Sequence, residues 1–265
     1  MKSVLEIVKA TPKTNCKACG QISCMAFAVA VMSGKLDISA CPYLVSQNTA
    51  EKEAQSTTMP DAETALLREL RGKIQGIDLA SRASALGAEV VFLFTGTALK
   101  LPYLGTEILL SKDGIYAENH MELDPRDQIL LYNYVFFASD EALSGNWVGL
   151  EAFPNSISKV VTLRRYTEEK LADAFDGRLH ELMAILAGMS GVMLQECHAD
   201  LCAQVSILPK VPVQVHFWNS SQEDGFPAQA KVLFDANAMR FLDIESLVFA
   251  AERMAEMCLQ QIGLR

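Results

Sequence analysis

Four cysteines, Cys16, Cys19, Cys24 and Cys41, stand at the spacing C-x2-C-x4-C-x16-C, with Pro42 directly after the last. No other feature constrains the fold so tightly, because four thiolates that meet at one inorganic centre dictate the backbone path between them. Three ligands on a short loop and a fourth returning from further along suit one four-iron four-sulfur cluster. Gly20 sits where that loop must bend, and glycine takes positive φ at no steric cost, letting backbone N–H groups approach sulfur. Structural zinc is a competing reading, yet zinc usually takes two chelating pairs, and no second C-x2-C follows. Disulfides compete as well. The start MKSVLEIVKA is broken by Glu6 and Lys9 before a cleavable apolar leader forms, which points to a reducing, cytoplasmic setting.

The charge distribution agrees with an anionic centre. Lys2, Lys9, Lys13, Lys17 and Lys35 against Glu6 and Asp37 give residues 1–45 a net +3, so the rest carries −12 of the total −9. A locally basic wrapper in an acidic chain offsets the negative cluster and raises its potential; a chance fall of surface lysines is the bland alternative. Cys24 is expected to open a helix over Met25 to Ser33, closed by Gly34 with Lys35 beyond, whose positive end faces the cluster. That segment, MAFAVAVMS, is apolar nearly all round, so it is expected to be buried against the larger domain or another protein.

From Ser46 to Met59 the composition turns polar and loses aromatics, as in a linker. The expected organisation is a cluster module over 1–45, a linker over 46–60 and one α+β domain over 61–265. Thr58, Pro60 and Asp61 form a capping-box-like start to a helix running to about Leu86, with Leu66, Leu67, Leu70, Ile74 and Ile77 on one face. Strands are expected at Glu89 to Phe94, Glu107 to Ser111, Gly114 to Ala117, Val211 to Trp218 and Ala230 to Asp235. Helices are expected at Pro125 to Ser139, Glu168 to Leu194 and Asp243 to Ile262. The irregular order of strands and helices reads as α+β, and no apolar run is long enough to span a membrane.

Within the larger domain, His216 and Trp218 alternate on one strand and so share a face, and with Asp235 they suggest a cleft for a planar ligand. The loop NSSQEDGFP, with Glu223 and Asp224 beside Gly225, is longer than an ordinary hairpin connection and is a candidate ligand or partner site. Each has a plainer reading: a half-buried His and Trp on a core face, and a solvated loop whose Phe226 packs back on the sheet. Cys197, His198 and Cys202 supply three potential metal ligands but no fourth. His180-Glu181 begins a zinc-protease pattern that fails at Ala184, and neither a P-loop nor G-x-G-x-x-G occurs. A pI near 5.0 argues against nucleic acid as a partner.

The run TPKTNCKACGQISCMAFAVAVMSGKLDISACPYL carries more than spacing: Pro12, Thr14 and Asn15 before Cys16, Cys19-Gly20, Cys24 with Phe27 and Ala28, Gly34-Lys35 and Cys41-Pro42. It resembles the four-cysteine module of the corrinoid iron–sulfur protein large subunit and of the corresponding iron–sulfur component of membrane-bound ferredoxin:NAD oxidoreductase complexes. The resemblance implies that the four cysteines ligate a cluster that passes single electrons. Further on, LLYNYV, SGNWV, ILPKVPVQVHFW and GFPAQAKVLFDANAMRFLDIESL resemble an uncharacterised domain family that often follows this module in anaerobic bacteria and archaea. That second likeness implies an architecture and an anaerobic setting, but no reaction.

Three function classes follow. The chain is a one-electron carrier with a redox partner protein, for which a corrinoid protein or a ferredoxin-linked reductase is the candidate by likeness. Alternatively it is a redox enzyme whose cluster serves a pocket near His216, Trp218 and the loop to Pro227, or its cluster is structural or sensory beside an interaction domain. Whether it is an enzyme stays open, because no complete catalytic constellation is visible. A corrinoid bound through a histidine would call for Asp-x-His-x-x-Gly, which is absent.

Overall fold

The computed structural model describes residues 4–11, 16–33, 35–41, 62–94, 96–119, 121–221, 223 and 225–264. The expected linker, the helix start at Thr58 to Asp61, Gly34 and Pro42 lie outside the described residues. Two compact units result, residues 1–61 and 62–265.

In the first unit, α1 (Val4–Ala10) packs on α2 (Cys24–Met32), and a single 3-10 turn follows at Ile38–Ala40. Ile7, Phe27, Ala28 and Cys41 are buried together, with Val4, Val8, Cys19, Val31 and Leu36 half-buried around them. So small a core stabilises little by itself, at about 25 cal/mol per Å² of apolar surface removed from water. Met25, Val29 and Met32 stay exposed, a stripe at helical spacing along the outer side of α2, and Ile22 just before the helix is exposed as well.

The second unit is α+β. Its first helix, α3 (Ala62–Ile74), ends well short of the Leu86 that its apolar periodicity predicts. The chain turns at Gly76, and the Asp78 side chain accepts from Ala80 N–H to start α4 (Leu79–Leu86), which Gly87 closes in the left-handed region (φ 63°). An N-cap acid and a C-cap glycine outweigh the helical periodicity that runs through them.

Four antiparallel strands then form a meander: β1 (Glu89–Leu93), β2 (Gly96–Tyr103), β3 (Thr106–Ser111) and β4 (Ile115–Ala117). β2 is absent from the strands expected on sequence, because Pro102 and Lys100 interrupt its pattern. Pro102 lies past Lys100, the last residue paired with β1, so its missing N–H costs no bond to β1. α5 (Pro125–Phe137) follows, capped by Asp124.

The second sheet has the order β5-β9-β8-β7-β6, all antiparallel, from β5 (Trp147–Val148), β6 (Val192–Met193), β7 (Leu201–Leu208), β8 (Val211–Trp218) and β9 (Gln229–Asp235). Pro212 is accommodated beside the register irregularity between Ser206 and Leu208. Between β5 and β6 run α6 (Ile157–Leu163), a π turn at Arg164–Glu168, α7 (Glu169–Phe175) and α8 (Leu179–Gly188). The single helix expected over Glu168 to Leu194 is thus three elements, because Gly177 takes φ 70° after α7 and Val192–Met193 pairs with β7.

One face of this sheet, with Val205, Ile207, Val213, Val215, Phe217, Val232 and Phe234, is buried. α9 (Ile244–Gln261) belongs to the same core through Leu247, Ala251, Met254 and Cys258. The two sheets meet where Leu104 N–H donates to Ile207 O at 3.0 Å, and Gly105 approaches Met189 so closely that a Cβ there would stand 2.7 Å from the Met189 Cα. No described helix is long and apolar enough to cross a membrane.

Candidate functional site

The cysteine loop is built by two residues in the left-handed region, Lys17 (φ 63°) and Gly20 (φ 77°), with Gly20 N–H donating to Lys17 O at 2.9 Å. Positive φ at a lysine is uncommon and strained, and such strain concentrates where a backbone must serve a ligand. Ser23 then caps α2, its Oγ accepting from Ala26 N–H at 3.1 Å, which makes Cys24 the first residue of the helix. The helix expected on sequence begins one residue later and leaves Ser23 out as the cap, although a serine before an apolar run is a recognised start signal.

Exposure is graded across the four cysteines: Cys16 is exposed, Cys19 and Cys24 are half-buried, and Cys41 is buried at 5% among Ile7, Phe27 and Ala28. None of them is in a disulfide. No three His, Cys, Asp or Glu side chains among the described residues gather tightly enough for a single metal ion. A four-iron cluster distributes its thiolates over four irons and so asks for a wider set. The donor set of four thiols, the left-handed loop and the helix N-terminus opening at Cys24 fit such a group. Lys9, Lys17 and Lys35 of the same unit are exposed, while Lys2 and Lys13 lie outside the described residues.

In the larger unit, His216 and Trp218 do share a face, with ring centroids 6.2 Å apart and planes tilted by 50°. His216 Nε2 lies 3.2 Å from Gln214 Oε1, and Trp218 Nε1 donates to His198 O at 3.1 Å, which fixes the indole. Burial holds the imidazole below its ordinary pKa, so the ring is neutral at pH 7.

Asp235 is not beside them. His216 pairs with Lys231, and four residues along β9 separate that position from Asp235, roughly 13 Å at strand spacing. Its carboxylate is buried and accepts four hydrogen bonds: from Ser144 N–H and Oγ, Gly145 N–H and Asn237 N–H. Burial pushes this carboxyl up, but the donors at Ser144, Asn237 and Gly145 outweigh it and hold the pKa below the usual value. The charged form therefore stabilises the fold above the unfolded pKa of ~3.9, and that contribution is lost as pH falls through the lower folded value. Asp235→Asn turns an amide N–H against one donor and is expected to cost about 1–3 kcal/mol at pH 7. Urea midpoints of the two proteins should converge on going from pH 7 to pH 2.

Glu223 is exposed and Asp224 lies outside the described residues. Their loop is pinned at its start, where Asn219 N–H donates to Asp200 and Ser220 N–H to Asp176, and pinched where Ser221 and Phe226 exchange backbone bonds. Phe226 is 64% exposed and does not pack back on the sheet. The structure joins Cys197 and Cys202 in a disulfide, so those two do not stand as a pair of metal-binding thiols, and the backbone of His198 holds Trp218. Among the described residues the sheet face around Trp218 also gathers Lys231 and Glu168, which sequence reasoning did not single out because both read as ordinary surface charges.

Residues 12–43 match the family model described as "Putative Fe-S cluster". The chain is 42% identical over 62 residues to the corrinoid/iron-sulfur protein large subunit of Moorella thermoacetica, covering 23% of this chain and 14% of that one. It is 50% identical over 42 residues to the acetyl-CoA decarbonylase/synthase complex subunit gamma of Methanocaldococcus jannaschii, covering 16% of this chain and 9% of that one. The chain thus spans only a small part of these curated relatives. No solved structure matches. Residues 78–257, most of the second unit, match the model described as "Domain of unknown function (DUF3786)", so the chain belongs to that family and carries an iron–sulfur segment ahead of its family domain.

Proposed function

We propose that Cys16, Cys19, Cys24 and Cys41 hold one four-iron four-sulfur cluster through which the protein passes single electrons to or from a partner protein. The observation that carries the reading is the cysteine loop itself: two left-handed residues bend it, and its third cysteine begins a capped helix. Such a cluster supplies a one-electron couple, tuned by hydrogen bonds and solvent exposure. The chain's own residues do the rest. Cys41, buried against Phe27 and Ile7, keeps water from one side, while exposed Cys16 opens the other toward a partner. The lysines of the segment balance the charge of four thiolates.

Both relatives are subunits named for corrinoid or acetyl-CoA chemistry, which supports a corrinoid protein as the first acceptor to try and ferredoxin-linked reductases as donors. The acidic remainder of the chain, at −12, steers a basic partner surface from a distance. Anaerobically prepared protein, reduced stepwise and followed by paramagnetic resonance, is expected to show a one-electron signal. Reoxidation by a cobalt(II) corrinoid protein should be faster than by unrelated acceptors and should slow as ionic strength rises past about 0.1 M. A cluster that cannot be reduced, or reoxidation indifferent to the acceptor, would remove this reading. The Trp218 face favours a second reading, in which the larger domain holds a small ligand of its own.

A further inference from the structure

Where β5 stops, β9 is left with an open edge. β5 pairs only Trp147 with Asp235 and Val148 with Phe234. The next outward-facing amide, Val232 N–H, is taken at 3.1 Å by Glu168 Oε1 from the π turn. Outward groups alternate along a strand, so Ala230 turns its N–H and C=O to the same edge, with no strand opposite. Between this edge and the π turn lies a slot of about 440 Å³, lined by Arg164, Glu168, Ala172, Trp218, Ala230 and Lys231 among others. Its size falls in the ordinary range for small-molecule sites.

The π turn explains how a carboxylate comes to be there. An extra residue in the turn brings two successive side chains inward, and Thr167 and Glu168 are both buried, at 0% and 6% exposure. Glu168 Oε1 is occupied by Val232 N–H, with Lys231 Nζ 3.5 Å away. Its other oxygen, Oε2, accepts no hydrogen bond from a described residue and is not sealed, and Glu168 lines the slot. The slot thus offers one fixed acceptor, one backbone donor at Ala230, small alanine side chains and an indole held in place by His198 O. Arg164 and Lys231 stand at it as cations, Arg164 paired with Glu169 at 3.3 Å and Lys231 with Glu151 and Glu168, each at 3.5 Å.

We infer that this slot binds a flat heterocycle carrying a ring N–H beside a ring carbonyl and a phosphate tail. The N–H donates to Glu168 Oε2, the carbonyl accepts from Ala230 N–H, the ring lies against Trp218, and the phosphate meets Arg164 or Lys231. Guanine and isoalloxazine both present that edge, so a guanine nucleotide and a flavin nucleotide are the two sources of one chemistry. The inference does not depend on the cluster, and its failure would leave the electron-transfer reading standing.

Calorimetric titration of the full-length protein with GMP and with FMN, each alone, decides it. One of the two is expected to bind at micromolar level, and which one identifies the source; ribose 5-phosphate, a tail without a ring, should not. Glu168→Gln keeps an oxygen for Val232 N–H but turns an NH2 toward the ligand's own N–H, so affinity should fall roughly ten- to hundredfold. Trp218→Leu removes the stacking wall and should weaken binding by about tenfold or more, with circular dichroism unchanged. Absence of binding by both nucleotides at ~1 mM, equal binding of ribose 5-phosphate, or unchanged affinity in both variants would overturn the proposal.

Discussion

Replacing Cys19 by alanine is expected to strip the protein of its iron. Anaerobically prepared wild type should be brown and carry about four irons and four sulfides per chain, and the variant should be nearly colourless, with both falling toward zero. Cys19 packs beside Ile7, Phe27 and Cys41, and its thiol is one of the four proposed ligands. Its loss is expected to remove one proposed ligand and to loosen the small core beside it. Cys258→Ala is the control. Its thiol is buried in the core of the other unit, where burial pushes the pKa up to about 12, so it is neither nucleophile nor ligand at neutral pH. Iron content should be unchanged there. Stoichiometric zinc in anaerobically handled wild type would overturn the cluster.

The largest effect on stability is expected at Arg253. Its guanidinium, 10% exposed, grips the Asp127 carboxylate with two hydrogen bonds of 2.7 and 2.8 Å, and it also contacts Glu256. Tyr103 OH donates to the same Asp127 at 2.8 Å; burial and the Asp127 charge push that phenol well above its ordinary pKa. The cluster of charges ties α9 to the start of α5 and to the end of β2. Arg253→Ala leaves a carboxylate buried without its counter-charge, a change that costs about 3–5 kcal/mol. In a domain of this size that lowers the melting temperature by roughly 10 °C. Arg253→Met with Asp127→Leu removes both charges together and should recover much of the loss. If the single and double variants melt alike, the pair is not the source of the effect.

The four-cysteine pattern behind the proposed cluster was legible in the sequence because residue type and spacing are both displayed by a linear chain. The mixed α+β class was legible too, through strands such as Val211 to Trp218, whose apolar alternation needs no context to be read. Other elements were hidden for identifiable reasons. β2 carries Pro102 and Lys100, tolerated because β1 ends before the proline. The helix expected over Glu168 to Leu194 breaks at Gly177, and its tail becomes a strand only because β7 lies there to pair with.

What the sequence by itself determined is the spacing of four cysteines, the sign and asymmetry of charge, and the alternation that gives each sheet a buried face. Tertiary structure alone decided what the polar residues of the larger domain do. Asp235, which reads as a ligand-binding acid, is consumed by four donors at one end of β9, and Glu168, which reads as one charge among RRYTEEK, is turned inward to cap Val232 and face a slot. The physical reason is that a carboxylate's role is set by the donors that reach it. Those donors come from Ser144, Asn237 and Val232, brought into place only when loop, π turn and strand edge meet in three dimensions.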